Sequence, residues 1–239
     1  MSGHSKWSTI KRQKGITDAK RGQAFTKVSN AITIAVKQGG GIVDPNSNFK
    51  LRLAIDKARE VNMPKDNVDR AIKRAEGKDA GAVEEIQYEG FGPGGTAFLI
   101  ETVTDNRQRT FSEVRNIVSK NGGNLGEPGS VSYMFDKIGE IVIKKDNSSF
   151  DELFTIGLEI GVDDVEEEGE LVFFYCDPSL LFEMRQKLEE KNIKVENSEI
   201  VYKPKSSVEL DDALAQKVLL IVERLDELDD VQQVFHNLA

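Results

Sequence analysis

Residues 140–202 read EIVIKKDNSSFDELFTIGLEIGVDDVEEEGELVFFYCDPSLLFEMRQKLEEKNIKVENSEIVY, and the spacing of their apolar residues alternates between strand and helix periods. Short β-branched and aromatic runs predict strands at 140–144, 163–167, 171–176 and 194–202. Residues 150–160 follow a helical period behind a Ser149/Glu152 capping box, and Asp177-Pro178 opens a second helix that runs to about 191. The resulting βαββαβ order is that of a ferredoxin-like unit, in which two helices cover one face of a sheet. It assigns 137–204 to one compact domain.

On either side of this unit the pattern changes. Upstream, strands at 86–90 and 96–104 flank Phe91-Gly92-Pro93-Gly94-Gly95, which has hairpin-turn chemistry. Thr110 and Glu113 have capping-box spacing for a helix through 120, Asn121-Gly122-Gly123 ends it, and 131–135 reads as a strand. Downstream, 211–225 and 229–238 read as helices, with Leu214, Val218, Ile221 and Leu225 in one row. A sheet with one helix of its own needs more cover, so 81–136 and 205–239 are expected to form one α/β domain interrupted by the ferredoxin-like insertion. Residues 1–80 form the third part. Beyond a polar arm at 1–18, three amphipathic helices present Phe25, Val28, Ile32 and Ala35; then Leu51, Ala54, Ile55, Ala58 and Val61; then, after Pro64, Val68, Ala71, Ile72 and Ala75. The fold class is α+β: an N-terminal three-helix domain plus two α/β domains, the third inserted in the second.

Charge divides the chain along the same lines. Residues 1–80 hold 17 Lys and Arg against 8 Asp and Glu, a net of +9, while 81–239 hold 15 against 33, a net of −18. A molecule so polarised meets a polyanion only by its leading third, because the remainder repels phosphate. Lys6, Lys11, Arg12, Lys14, Lys20, Arg21 and Lys27, with Trp7 among them, combine phosphate neutralisation with a ring that can stack on a base. Lys65, Arg70, Lys73 and Arg74 add a second basic patch on the third helix. The bland alternative for both groups is a solvated surface.

Other motifs are weighed in the same way. Gly90-x-Gly92-x-x-Gly95 matches the dinucleotide fingerprint in form, but strands flank it on both sides where that site needs a helix after the turn. Arg107 and Arg109 sit at a strand-to-helix junction, where they either hold a phosphate or carboxylate of a partner or pair with nearby acids. One cysteine, Cys176, lies in an apolar strand and reads as core, and His4 and His236 are the sole histidines, so no Cys/His zinc site assembles. His236 is read as ending the last helix. No nucleophile–base pair or carboxylate dyad stands out, so no enzyme activity and no cofactor are expected. No apolar run approaches the ~20 residues of a membrane span, and residues 1–20 lack the apolar stretch of a signal peptide. A cytoplasmic protein without a membrane partner is expected; monomer is a plausible state.

Gly3-His4-Ser5-Lys6-Trp7, Asp18-Ala19-Lys20-Arg21-Gly22, Asn62-Met63-Pro64, Tyr88-Glu89-Gly90-Phe91-Gly92-Pro93-Gly94-Gly95-Thr96, Asp105-Asn106-Arg107, Gly122-Gly123-Asn124-Leu125-Gly126 and Asp229-Asp230-Val231-Gln232 together resemble the YebC/PmpR family nearly end to end. The resemblance implies a helical domain followed by two α/β domains, with no catalytic residues or cofactor to carry over. It also implies a regulator of gene expression, either a DNA-binding transcriptional regulator or, as for the family's mitochondrial translational activator, a ribosome-associated factor that relieves stalling. The chain departs from the family's arm in two places: Arg12-Gln13-Lys14-Gly15-Ile16 is less basic, and Gln23 stands where a Lys is usual, so weaker polyanion affinity is expected. A third expectation, of another class, is a small-molecule enzyme using Gly90–Gly95 with Arg107 and Arg109.

Overall fold

The computed structural model describes residues 18–77, 83–145 and 148–239. Three helices come first: α1 (Asp18–Gln38), α2 (Phe49–Glu60) and α3 (Lys65–Glu76). Their apolar rows meet in one core of Val28, Ile32, Ala35, Val36, Leu51, Ala54, Ala58, Met63 and Ala71. Asn48 ties the first turn to the second helix. Its side chain caps α2 by accepting from Leu51 N at 3.1 Å and donates to the Ala35 and Ile42 carbonyls at 2.9 Å each.

β1 (Glu84–Phe91) and β2 (Ala97–Thr104) then form the expected hairpin, in register from Glu84↔Thr104 to Phe91↔Ala97. The tight turn Pro93–Gly95 needs its glycines. Gly94 has φ of +69°, and a Cβ on Gly92 would stand 2.3 Å from the Phe98 ring. The hairpin is continued by α4 (Arg107–Lys120), the two-residue β3 (Asn124–Leu125) and, after the insertion, by α7 (Asp212–Asp226) and β8 (Val231–His236). The sheet order is β3-β1-β2-β8. Phe98, Ile100, Val114, Val118, Val218, Ile221, Leu225, Val231 and Val234 form the core between it and helices α4 and α7.

Three expectations are corrected here. Residues 229–238 contain a strand where a helix was expected. Between Glu101 and Thr102 the β2–β8 register shifts, so Gln232 bulges out and Val231 and Val234, three apart, share one face. That spacing imitates a helix in the sequence. It also places His236 on a strand, fully buried, instead of at a helix end. The helix α4 begins at Arg107, capped by Asn106, whose side chain accepts from Arg109 N at 3.1 Å; Thr110 is fully buried and faces inward. Residues 132–134 form a 3-10 turn instead of a strand, and β4 (Phe135–Lys144) starts only after it.

Residues Asp136–Lys203 make a compact unit of their own. Within it β4, α5 (Phe150–Ile160), β5 (Asp164–Glu168), β6 (Leu171–Cys176), α6 (Leu181–Glu190) and β7 (Val195–Pro204) give the sheet order β5-β6-β4-β7. This is the βαββαβ arrangement read from the sequence, and the Ser149/Glu152 capping box is present. Cys176 is buried, and that burial, helped by Asp163 and Asp177, pushes its thiol pKa up to about 12, so it stays protonated and inert.

Candidate nucleic-acid interface

The basic face of α3 follows from helical geometry. At 3.6 residues per turn, Arg70, Lys73 and Arg74 fall on the side opposite Val68, Ala71, Ile72 and Ala75, which pack into the helical core. Lys65, in the first turn, lies about 140° around the axis from Arg70, beside the Ile72 edge of the apolar row, and is exposed because it stands at the helix start. All four side chains are exposed. Arg70 is steadied by bonds to Asn67 Oδ1 and the Asp66 carbonyl, and among the described residues no ion pair ties any of the four to a carboxylate. Pro64, with φ of −59°, starts the helix, and Asn62, with φ of +54°, makes the turn before it.

The other predicted cations are distributed differently. Lys6, Trp7, Lys11, Arg12 and Lys14 lie outside the described residues. Lys20 belongs to α1, and Arg21 is exposed next to it. Lys27 is turned inward: its ammonium donates to the Asp226 carbonyl at 2.6 Å, where it complements the C-terminal end of α7. Gln23 donates its amide to the carbonyls of Asp226 and Glu227. Position 23 therefore docks α1 on the end of α7, and the missing cation there is a structural contact of this chain.

Arg107 is exposed, and its carbonyl accepts from the Tyr88 hydroxyl at 3.4 Å. Arg109 takes the pairing alternative. Its guanidinium donates to Asp105 Oδ1 at 2.9 Å and to Asp230 Oδ2 at 2.8 Å, and these hydrogen bonds raise its pKa further. Asp230 is the hub, because the same Oδ2 accepts from the hydroxyls of Thr110 at 2.6 Å and Thr104 at 3.1 Å. The structure thus brings the Asp105-Asn106-Arg107 and Asp229-Asp230-Val231-Gln232 motifs together as a joint between α4 and β8. Sequence reasoning missed this joint, since 120 residues separate Thr110 from Asp230 and a threonine near a helix start resembles a cap.

Next to the joint is a cleft of about 510 Å³ lined by Thr26, Asn30, Arg74, Val83, Asp105, Arg109, Glu113, Glu227, Leu228, Asp229 and Asp230. Five carboxylates face two arginines there, one of them held by Asp105 and Asp230. A phosphorylated small molecule meets net repulsion in that cleft. Arg74 borders it, so of the α3 cations Lys65, Arg70 and Lys73 stand clear of the cleft lining.

A second carboxylate missed in the sequence is Glu89, which is 6% exposed. It accepts from the backbone amides of Gly129 at 2.8 Å, Val131 at 2.7 Å and Ser132 at 2.8 Å, and its own carbonyl accepts from Gly126 N at 2.8 Å. Burial alone would raise its pKa, but the three amide donors outweigh this and hold the carboxyl below its ordinary value. The glycine-rich stretch 122–130 is therefore pinned to β1 by one buried side chain.

Comparisons with known proteins cover the chain almost completely. A family model described as the TACO1/YebC protein N-terminal domain matches residues 5–78, and one described as the TACO1/YebC second and third domain matches 83–238. A probable transcriptional regulatory protein of Trichlorobacter lovleyi is 52% identical over 239 residues, spanning 99% of this chain and 95% of that protein. Its counterpart in Geobacter sulfurreducens is 50% identical over 238 residues, with the same coverage of both chains. The crystal structure of a conserved hypothetical protein from Aquifex aeolicus is similar at a TM-score of 0.84 and 41% identity, covering 93% of this chain and 91% of the other.

Proposed function

This chain belongs to the TACO1/YebC family, and from that premise we propose that it is a non-enzymatic regulator of gene expression that binds nucleic acid through its N-terminal helical third. The observation that carries the reading is the exposed face of Arg70 and Lys73 on α3, with Lys65 exposed at the start of the helix, in the part of the chain that is net basic while the rest is net acidic. Four cations of this kind, Arg74 included, correspond to a salt slope of roughly −3.6 on duplex DNA, which is sequence-blind attraction. The relatives are named as probable transcriptional regulatory proteins, which favours transcription as the process and makes DNA the first polymer to test. A ribosome-associated role is the second reading; a basic end opposed to acidic domains suits insertion among RNA walls.

The non-enzymatic part rests on the reactive groups themselves. Cys176 is buried with a raised pKa, Arg109 is engaged by two aspartates, and the Gly90–Gly95 turn packs on Phe98 and Leu210. Among the described residues no helix is long and apolar enough to cross a membrane.

Fluorescence anisotropy with duplex promoter DNA, matched random DNA and purified ribosomal RNA, run from 50 to 200 mM salt, tests the reading. Binding to at least one polymer with a steep salt dependence is expected. Flat titrations against all three at the lowest salt refute it, and cosedimentation with ribosomes but no promoter protection selects the second reading.

A further inference from the structure

Tyr133 is 67% exposed, more than any other large hydrophobic side chain among the described residues. The backbone that carries it is nevertheless fixed on both sides. Val131 is fully buried and, with Ser132, donates its amide to the Glu89 carboxylate. Met134 N–H reaches the Val131 carbonyl at 2.9 Å, and the Met134 carbonyl accepts from Lys205 N at 2.9 Å. Phe135 follows, 5% exposed. Hydrogen bonds hold the backbone of this turn, yet the described residues leave two thirds of the Tyr133 side chain uncovered.

Among the described residues the other exposed rings have aromatic partners. Phe111 packs on Tyr88 and Phe154 on Phe150, at centroid distances of 6.0 and 5.8 Å. Tyr133 has instead the exposed tip Gly126-Glu127-Pro128-Gly129 near it in the chain, pinned by the same Glu89. A protein-docking site needs neighbouring apolar side chains to exclude water around its anchor, and this loop offers none of size. A base needs only one flat face plus polar groups for its edge, and the exposed backbone of Gly126–Gly129, held on the same Glu89 as the Tyr133 turn, is polar. Residues 119–135 carry one cation, Lys120, and one exposed acid, Glu127, within a segment whose net charge is −18, and the Glu89 anion inside the loop is buried and met by three backbone amides.

We propose that Tyr133, presented by the Glu89-pinned loop, is a stacking platform for an unpaired base of the bound nucleic acid. A base in an intact duplex has no free face, so the ligand is single-stranded or locally melted. The inference rests on the nucleic-acid reading above and adds a second contact, uncharged and outside the helical third.

The test uses the full chain and labelled twelve-nucleotide oligo(U), oligo(dT) and a duplex of equal length. Tyr133→Ala is expected to weaken single-strand binding roughly 5- to 100-fold, the range of one base–aromatic stack. Tyr133→Phe should bind within about twofold of the parent, and the salt slope should be unchanged in both, because stacking releases no counterions. Loss on oligo(U) alone identifies RNA, and equal loss on oligo(dT) identifies any single strand. If Tyr133→Ala, folded by circular dichroism, binds the single strands as tightly as the parent, the proposal is overturned while the nucleic-acid reading stands. A parent that binds none of the three polymers overturns both.

Discussion

Arg70 and Lys73 on α3 and Arg109 on α4 are each on the exposed side of a helix, yet their surroundings differ. The α3 cations face solvent with no carboxylate in ion-pair distance among the described residues, while Arg109 is bonded to Asp105 and Asp230. The difference lies in what the described residues bring to each from far away: no ion-pairing acid to Arg70 or Lys73, and the α7–β8 turn to Arg109. A basic residue at a helix surface is a candidate for polyanion binding only where the tertiary structure leaves its charge unanswered.

The widest separation between the two sites should come from neutralising the first. Changing Lys65, Arg70, Lys73 and Arg74 together to Gln is expected to cut polynucleotide affinity ~10²–10³-fold near 100 mM salt and to flatten the salt slope by up to about 3.6, read by anisotropy. Thermal stability should barely move, because these side chains are exposed. Asp230→Ala tests the opposite side. It removes one acceptor from Arg109, Thr104 and Thr110 at once, and urea unfolding should report a loss of about 2–4 kcal/mol.

Glu89→Gln sharpens the contrast between charge turned outward and charge turned inward. Its amide group would present a donor to amides that need an acceptor, costing about 1–3 kcal/mol at neutral pH. Because the folded pKa is depressed, the Glu89 contribution is complete above the ordinary value of 4.5 and is lost as pH falls through the lower folded value. The stability gap between parent and Glu89→Gln should therefore close in acid; a gap that stays constant down to pH 2 contradicts the assignment. The smallest effect belongs to Arg109→Gln. With its side chain 45% exposed, its ion pairs are worth less than about 1 kcal/mol, and polynucleotide affinity should stay within about twofold. A loss comparable to the α3 variant would return Arg109 to the binding surface.

Local chemistry explains why the ferredoxin-like unit was readable: each element carries its own signal, such as the Ser149/Glu152 box or the apolar Leu171–Cys176 run. The hairpin at Pro93 and the three-helix core were legible for the same reason. β8 was not, because a bulge at Gln232 gives a strand the spacing of a helix, and bulges are decided by the partner strand. The α3 face was visible from periodicity alone. Lys27, by contrast, resembled the other arm cations until α7 placed its last carbonyl 2.6 Å away.

Composition and order along the chain determined by themselves that this protein has a basic helical head, an acidic remainder and a βαββαβ insertion, since charge and hydrophobic period are properties of neighbours in sequence. Which cations remain available, which acids are buried as anchors and which ring stands uncovered were decided only when residues such as Thr110 and Asp230, or Glu89 and Ser132, came within hydrogen-bond distance. Those pairings depend on how separate elements close over one another, and short-range pattern does not encode that.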